Sequence, residues 1–238
     1  MLHEQTVTKM EHLKLHGMAQ SFKEINTSIK QGDLTPAEFI GLLIDAETTH
    51  RETKKLTRLL KKSRLKQQAC VEDIDYKHSR GLHKRTILEL MSSQWIHNHQ
   101  NILLSGPTGV GKTYLACALG NTACRAGFSV LYIRAPRLFT ALYQARADGS
   151  YLSYLSKLSR YNVLIIDDVG LSPMAESERK DLLEIVEDRS LNTSLIIASQ
   201  LAIKDWYQII GDPTIADAIC DRLLHHAYKI ELQGIILF

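Results

Sequence analysis

The chain has 238 residues, of which 45% are hydrophobic and 23% are charged, a composition typical of a globular protein with a packed core. The first 20 residues lack the apolar core of a signal peptide, and no apolar run approaches the length of a membrane span. We therefore expect a cytoplasmic protein without a membrane partner. The net charge of +3 is uneven, because residues 1–70 carry 12 Lys and Arg against 8 Asp and Glu, so a polyanionic partner is expected to bind there.

The first third of the chain is predicted to be helical. Apolar residues recur at steps of three and four from Leu15 to Ile29, the spacing of one helical stripe, and Gly32-Asp33 ends it. Thr35-Pro36-Ala37-Glu38 is a capping box with proline at the first helical position, so it predicts the start of another helix. That helix is expected to continue into a basic stretch near Lys66.

The pattern changes after Cys70 to Gly81, a segment of little periodicity that we interpret as a linker. A helix is predicted from Leu82 to about His97, and short apolar strands then alternate with helices. The predicted strands are 102–104, 129–133, 163–166, 195–198 and 228–232. This alternation predicts an α/β fold with a five-stranded, mainly parallel sheet. We divide the chain into a small all-helical domain, residues 1–70, and an α/β domain, residues 71–238.

The segment after the first predicted strand matches the phosphate-binding motif G-x-x-x-x-G-K-[ST] without deviation. It consists of Gly106-Pro107-Thr108-Gly109-Val110-Gly111-Lys112-Thr113. The glycines let successive backbone N–H groups face phosphates, and the N-terminus of the following helix adds its dipole. Lys112 is expected to reach the β- and γ-phosphates and the Thr113 hydroxyl to ligate Mg²⁺. The sequence therefore predicts an ATPase that uses ATP and Mg²⁺.

Two acids follow the third predicted strand, Val163 to Ile166. A buried strand that delivers a carboxylate at its carboxyl end, beside a phosphate loop, supplies what Mg²⁺ and the attacking water need. We assign Asp167 to Mg²⁺, mostly through water, and Asp168 to polarising the nucleophilic water.

Two polar residues later in the chain are weaker candidates. Gln200 follows the fourth predicted strand, where the polar residue of such ATPases contacts the γ-phosphate or the water. A polar residue that simply leaves a strand explains the same position. Arg222 lies on a late predicted helix, and on spacing alone it is a solvated surface residue.

A basic stretch in the N-terminal third is a candidate nucleic-acid interface. Its cations recur at steps of four, three, four and four, which predicts one face of a helix. They are Arg51, Lys55, Arg58, Lys62 and Lys66. Because acidic partners four residues on are nearly absent, we favour binding to the phosphates of double-stranded DNA over a merely solvated face.

These residues together resemble the IstB-like transposition helper ATPases of bacterial insertion sequences, relatives of the DnaC-type helicase loaders within the AAA+ superfamily. The resemblance covers nearly the whole chain. The segments that carry it are Leu15–Met18, Glu72–Tyr76, His99–Gly120, Asp148–Tyr151, Asp167-Asp168, Ile210–Ile219 and Asp221–Leu223.

The resemblance implies an AAA+ ATPase domain and an ATP-dependent, DNA-binding homo-oligomer that works with a partner transposase. It also implies that Arg222 is an arginine finger acting on the ATP of a neighbouring subunit and that Gln200 occupies the sensor position. The ending Gln233–Phe238 departs from the family, whose members continue with a polar, basic tail. We interpret that ending as a frameshifted or truncated copy.

Three alternatives remain open from the sequence. A replicative helicase loader of DnaC type would bind a helicase instead of a transposase. A nucleotide-gated DNA scaffold would bind ATP with hardly any turnover. A small-molecule P-loop kinase fits less well, because no lid-like segment with substrate arginines follows the second predicted strand.

Overall fold

The computed structural model describes residues 2–28, 34–76 and 81–234. The chain forms two compact units, Met1–Arg58 and Leu59–Phe238. The domain boundary at residue 70 stays a prediction, since the contacts divide the chain earlier. Ile29, the Gly32-Asp33 break and the last four residues of the unusual ending lie outside the described residues. Within the described part of the chain, no helix combines the length and apolar character needed to cross a membrane.

The N-terminal unit is helical, as predicted. Helix α1 spans Leu2–His12, α2 spans His16–Ser28, and α3 begins at Pro36 and continues to Ser63, beyond the end of the unit. The predicted capping box starts α3, because the Thr35 N–H donates to Glu38 Oε2 over 2.7 Å and the Glu38 N–H donates to Thr35 Oγ1 over 3.3 Å. Two backbone donors at the helix start are thereby paired.

A buried carboxylate joins α2 to α3. Glu47, which is 7% exposed, accepts the backbone N–H groups of Gly17 at 2.8 Å and Met18 at 3.2 Å. These groups belong to the first turn of α2, where a negative charge is favourable. The helices approach so closely that a Cβ at Gly17 would lie 2.5 Å from the Ala46 carbonyl oxygen. The Leu15–Met18 segment therefore has a structural reason for its glycine.

The second unit is built on one five-stranded sheet among the described residues. Its strands are β1 (Asn101–Ser105), β2 (Val130–Arg134), β3 (Val163–Val169), β4 (Ser194–Ser199) and β5 (Ala227–Glu231). Their order is β2-β3-β4-β1-β5, and all neighbouring pairs are parallel. Every residue of β1 and β4 is buried. Burying one such Leu or Ile side chain stabilises the fold by roughly 1.5–3 kcal/mol. The predicted α/β fold is confirmed.

Helices precede the sheet and connect its strands. They are α4 (Lys84–Met91), α5 (Gln94–His97), α6 (Lys112–Arg125), α7 (Ala135–Ala147), α8 (Tyr151–Ser159), α9 (Glu176–Arg189), α10 (Trp206–Ile210) and α11 (Pro213–Leu224). The single helix predicted from Leu82 to His97 is wrong, because Ser93 has a φ of +58° and separates α4 from α5. A left-handed residue cannot continue a right-handed helix.

The sheet order determines where chemistry can occur. Strand β1 lies beside β4, and β4 lies beside β3. Because the strands are parallel, their carboxyl ends meet at one edge, where open α/β sheets bind their ligands. The segments that follow β1 and β4 and the acids near the end of β3 therefore come to the same edge.

Candidate nucleotide-binding site

The predicted phosphate loop, residues 106–113, connects β1 to α6 and contributes its last two residues to that helix. Its first residue must be glycine. Gly106 has a φ of +137°, and a Cβ there would lie 2.1 Å from the Leu232 carbonyl oxygen. Leu232 is held in place because its N–H donates to the Ser105 carbonyl oxygen over 2.8 Å. The residue that follows β5 thus lies directly against the start of the loop.

Lys112 is the buried cation of the loop. Its Nζ donates to the carbonyl oxygens of Gly106 and Pro107, each over 2.6 Å. An ammonium group has three N–H donors, so one is left for a phosphate oxygen. Burial lowers the pKa of Lys112, while the negative charges of Asp167 and Asp168 oppose that shift. The lysine therefore lies in the electrostatic field of the acid pair.

Thr113 and Asp167, the two residues predicted to bind Mg²⁺, are in direct contact. Thr113 Oγ1 donates to Asp167 Oδ2 over 2.7 Å, and Asp167 is 1% exposed. The Tyr132 hydroxyl donates to the same carboxylate oxygen over 2.6 Å. Burial and this hydrogen bond both raise the pKa of Tyr132, so the phenol stays protonated at neutral pH. Sequence reasoning missed Tyr132.

The oxygen atoms of Thr113 and Asp167 fit Mg²⁺ as ligands, because this ion prefers oxygen and is usually held by one or two protein groups together with substrate phosphates. The Thr113 hydroxyl would hold the ion, and Asp167 would hold it mostly through water. Within residues 2–28, 34–76 and 81–234, no cluster of three or more His, Cys, Asp or Glu side chains could hold a metal by itself.

Asp168 lies in an irregular stretch of β3. The pairing of β3 with β4 shifts register between Ile166 and Val169, and Asp168 has a φ of +61°. In a regular strand successive side chains point to opposite faces, whereas an irregularity of this kind re-aims them. Arg134 Nε donates to Asp168 Oδ2 over 2.6 Å, and this hydrogen bond raises the pKa of Arg134. One oxygen of Asp168, the residue to which we assign the water-polarising role, is therefore engaged by a cation that the sequence did not reveal.

A pocket of about 410 Å³ lies beside the phosphate loop. Gln67, Asp73 and Asp75 line it from the segment that precedes α4, and Val110 and Tyr114 line it from the loop and α6. This volume lies within the usual range for small-molecule sites. Part of residues 70–81, the predicted linker, therefore lines a pocket, which the sequence did not predict.

The lining segment is attached to α6. The Tyr114 hydroxyl donates to the Cys70 carbonyl oxygen over 3.1 Å, and Asn121 Nδ2 donates to the Ala69 carbonyl oxygen over 3.0 Å. Arg125 also pairs with Glu72 over 2.7 Å. The helix that begins in the phosphate loop therefore holds the other wall of the pocket.

Comparison with known proteins identifies the family. Residues 8–235 match the family model described as IstB-like ATP binding protein. The chain belongs to this family. A relative from Sinorhizobium fredii, named as an insertion sequence ATP-binding protein, is 46% identical over 234 residues, which are 98% of this chain and 96% of the relative. A relative from Pseudomonas aeruginosa, named as the ATP-binding protein of insertion sequence IS21, is 33% identical over 95% of this chain and 83% of the relative.

Solved structures share the fold of this IstB-like protein. DnaI matches with a TM-score of 0.61 at 23% identity, over 70% of this chain and 92% of that chain. The DnaC helicase loader matches with a TM-score of 0.57 at 18% identity, over 69% of this chain and 97% of that chain. The predicted family is confirmed, and so is the predicted fold, a five-stranded parallel sheet with helices that is preceded by N-terminal helices.

Gln200 and Arg222 have different surroundings in the IstB-like chain. Gln200 is exposed directly after β4, whose last residue, Ser199, donates through Oγ to the Val169 carbonyl oxygen over 2.8 Å. Gln200 therefore lies at the sheet edge that carries the phosphate loop. Arg222 on α11 instead pairs with Glu187 of α9 over 2.8 Å. In the described part of the chain, Arg222 forms no hydrogen bond or ion pair with the loop or the acid pair. The roles of Gln200 and Arg222 stay predictions.

The basic stretch is only partly as predicted. Helix α3 ends at Ser63, and Arg64 has a φ of +53°, so Lys66 lies beyond the helix and its predicted place on the helical face is wrong. Arg51 Nε donates to the buried Glu47 over 2.6 Å, so its guanidinium also has a structural role. The other members, Lys55, Arg58 and Lys62, are exposed on α3 at the predicted spacing. Contact of any of these residues with DNA stays a prediction.

Proposed function

We propose that this IstB-like protein is a Mg²⁺-dependent ATPase that assembles as a homo-oligomer on double-stranded DNA and assists a partner transposase. The observation that carries the proposal is the 2.7 Å hydrogen bond between Thr113 and Asp167, which joins the phosphate loop to the acid pair. Phosphoryl transfer to water requires a loop that positions the phosphates, residues that hold the metal ion, and a carboxylate that polarises the attacking water. We assign the last part to Asp168.

The pocket beside the loop supports a nucleotide as the bound molecule. A triphosphate on residues 106–113 would leave its base near Asp73, Asp75 and Gln67, which line the pocket. Carboxylate and amide oxygens accept hydrogen bonds, and the exocyclic amino group of adenine donates them. We therefore propose ATP as the nucleotide.

The exposed cations of α3 support the DNA-binding part of the proposal. A helix that presents Lys55, Arg58 and Lys62 toward a duplex gains affinity by releasing counterions from phosphates. We propose residues 1–70 as the DNA-binding domain and residues 71–238 as the ATPase domain. We further propose that Arg222 acts on the ATP of a neighbouring subunit, which makes the active form an oligomer.

The partner is proposed from the relatives. Proteins 46% and 33% identical to this chain are named for insertion sequences, whereas the DnaC helicase loader shares its fold at 18% identity. We therefore favour a transposition helper over a helicase loader. A transposase gene beside the gene for this chain would support the helper, and a replicative helicase gene would favour the loader.

Steady-state turnover tests the enzymatic part. ATP hydrolysis by the full chain is measured with Mg²⁺ or with EDTA, and with or without duplex DNA, beside an Asp168→Asn variant. Turnover that needs Mg²⁺, rises with DNA and is lost in the variant is expected. Tight ATP and DNA binding without turnover under every condition would contradict the ATPase and favour a nucleotide-gated scaffold.

A further inference from the structure

A buried tyrosine reaches into the proposed metal site from the neighbouring strand. Tyr132 lies in β2, is 7% exposed, and points its hydroxyl at Asp167, to which it donates over 2.6 Å. Its pairing partner in β3 is Ile165, so the ring extends along the sheet toward the carboxyl end of that strand. A phenylalanine would supply the same apolar ring, so the hydroxyl is the feature that requires a function.

Three fixed donors orient the Asp167 carboxylate. Its Oδ2 accepts from Thr113 Oγ1 at 2.7 Å and from the Tyr132 hydroxyl, and its Oδ1 accepts from the Asp168 N–H at 2.9 Å. The donors lie on three separate elements: the start of α6, the middle of β2 and the irregular stretch of β3. Rotation of the carboxylate would break at least one of these hydrogen bonds.

The orientation matters for the hydroxyl that would bind the metal. A threonine hydroxyl has one proton and two lone pairs. As long as Thr113 donates its proton to Asp167, its lone pairs are available to a cation on the phosphate side. Turning the Asp167 carboxylate would free the Thr113 proton to point at that cation. The Tyr132 hydroxyl, bound to the same oxygen, prevents this rotation.

We infer that Tyr132 is a positioning residue for a divalent cation bound with a nucleoside triphosphate, because it fixes the carboxylate that orients the Thr113 hydroxyl. The inference rests on the proposed Mg²⁺–ATP site. Groups that orient metal ligands from behind change metal affinity by about tenfold or more when they are removed. Tyr132→Phe should therefore raise the Mg²⁺ concentration needed for half-maximal tightening of nucleotide binding about tenfold. Nucleotide affinity in EDTA should not change.

The chain supplies a matched control. Tyr151 also donates through its hydroxyl to a buried carboxylate, Asp181, over 2.8 Å, and Asp181 is 2% exposed. That pair joins α8 to α9 and, within the described residues, forms no hydrogen bond or ion pair with the phosphate loop. Tyr151→Phe removes the same kind of hydrogen bond, so it should leave the Mg²⁺ midpoint unchanged.

The experiment measures binding of a fluorescent ATP analogue to the full chain, first in EDTA and then along a MgCl₂ titration. It compares the parent protein, Tyr132→Phe and Tyr151→Phe, and circular dichroism checks that each is folded. A second variant, Tyr132→Leu, also lacks the hydroxyl and replaces the ring with a smaller apolar side chain. A Mg²⁺ midpoint shifted only in the folded Tyr132 variants is the expected result.

Two kinds of negative outcome are distinguishable. A Tyr132→Phe midpoint equal to that of the parent protein, or equal shifts in Tyr132→Phe and Tyr151→Phe, would overturn the inference alone. Loss of fold in both Tyr132 variants would show a purely structural role and also overturn it. Absence of nucleotide binding, or of any Mg²⁺ effect, in the parent protein would instead overturn the proposed function.

Discussion

Arg134, the last residue of β2, donates through Nε to Asp168 Oδ2 over 2.6 Å. Asp168 also has a φ of +61°, a conformation that costs a non-glycine residue about 1–2 kcal/mol. Such a conformation persists when its surroundings maintain it, and the pair with Arg134 is part of those surroundings. Because the guanidinium donates to Oδ2, that oxygen is engaged and is not open to a water molecule. The end of β2 thus controls the acid that we assign to the attacking water.

The first prediction concerns that pair. Arg134→Ala should leave Asp168 Oδ2 free to accept a hydrogen bond from the attacking water, and should therefore raise ATP hydrolysis in the absence of DNA. Turnover per site is measured at saturating ATP and Mg²⁺, so that a change in nucleotide affinity does not enter. Arg134→Lys, which keeps the charge but not the planar guanidinium, is the control and should stay closer to the parent protein. Lower turnover in Arg134→Ala would mean that the arginine orients Asp168 for catalysis.

The second prediction separates binding from chemistry. Lys112→Ala should abolish ATP binding, because the loop loses its buried cation. Asp168→Asn should keep ATP binding and lose hydrolysis, because the amide cannot accept a proton from water. Equilibrium binding and single-turnover hydrolysis are measured on both variants. Equal loss of binding in the two would remove the role given to Asp168.

The sequence predicted those parts of the site whose residues are contiguous in the chain. The phosphate loop and the Asp167-Asp168 pair follow apolar strands directly, so local pattern alone identified them. Tyr132 and Arg134 precede Asp167 by more than thirty residues. They become neighbours of the acids only through the parallel pairing of β2 with β3, in which Arg134 lies opposite Asp167. Strand order and register are set by packing of the whole sheet, which local pattern does not contain.

Two errors of the sequence analysis have a different cause. The helix breaks at Ser93 and after Ser63 occur where a serine or an arginine adopts a positive φ. Serine and arginine rarely adopt a positive φ, so these residues do not predict a helix break as glycine or asparagine would. The periodic spacing of the cations therefore continued to Lys66 in the sequence after the helix had ended.

The third prediction tests the basic surface of α3. If Lys55, Arg58 and Lys62 each contact a duplex phosphate, changing all three to Ala should make the slope of log K against log salt shallower by about 2.7. Sequence preference should not change, because phosphate contacts carry no base information. Duplex binding is measured by fluorescence anisotropy at several salt concentrations. Arg137→Ala combined with Lys157→Ala, two exposed cations on α7 and α8, is the control. An unaltered slope in the triple variant would leave the three residues as a solvated face.

The fourth prediction concerns pH and the N-terminal helices. Burial alone would raise the pKa of Glu47, but hydrogen bonds from Arg51, Met18 and Gly17 outweigh it and hold that pKa below its ordinary value of 4.5. The stabilisation is therefore complete above about pH 4.5 and is lost as the pH falls through the lower folded value. Glu47→Gln should cost about 1.5–3 kcal/mol at neutral pH, the range for hydrogen bonds to a charged group.

Hydrogen exchange at the Gly17 and Met18 amides, which donate to Glu47, measures this stabilisation directly. In Glu47→Gln the protection factors of the Gly17 and Met18 amides, which compare the exchange rate of an unfolded chain at the same pH with the measured rate, should fall at neutral pH. In the parent protein they should fall only in acid. Glu52→Gln, an exposed position on the same helix, is the matched control and should leave both rates unchanged. Unchanged protection in Glu47→Gln would show that the carboxylate does not join α2 to α3.

The last prediction concerns Arg222, which pairs with Glu187 over 2.8 Å on a partly exposed surface. Such a pair contributes at most about 1 kcal/mol, so a neighbouring subunit can draw the arginine away at little cost. A guanidinium that neutralises the departing γ-phosphoryl group is worth about 10³–10⁵ in rate. If Arg222 acts in this way, specific activity should rise with protein concentration. Arg222→Ala should still bind ATP but hydrolyse it poorly, as measured by turnover on matched amounts of bound nucleotide.

Two controls separate this role from a structural one. Glu187→Ala breaks the same pair but leaves the arginine, so it should keep its activity if Arg222 works on a neighbour and lose it if the pair itself is needed. A mixture of Arg222→Ala with Lys112→Ala supplies a working loop on one subunit and a working arginine on another. Some interfaces in the mixture should be competent, and part of the activity should return. No recovery in a mixture shown to co-assemble, or full activity of Arg222→Ala alone, would return Arg222 to an ordinary surface position.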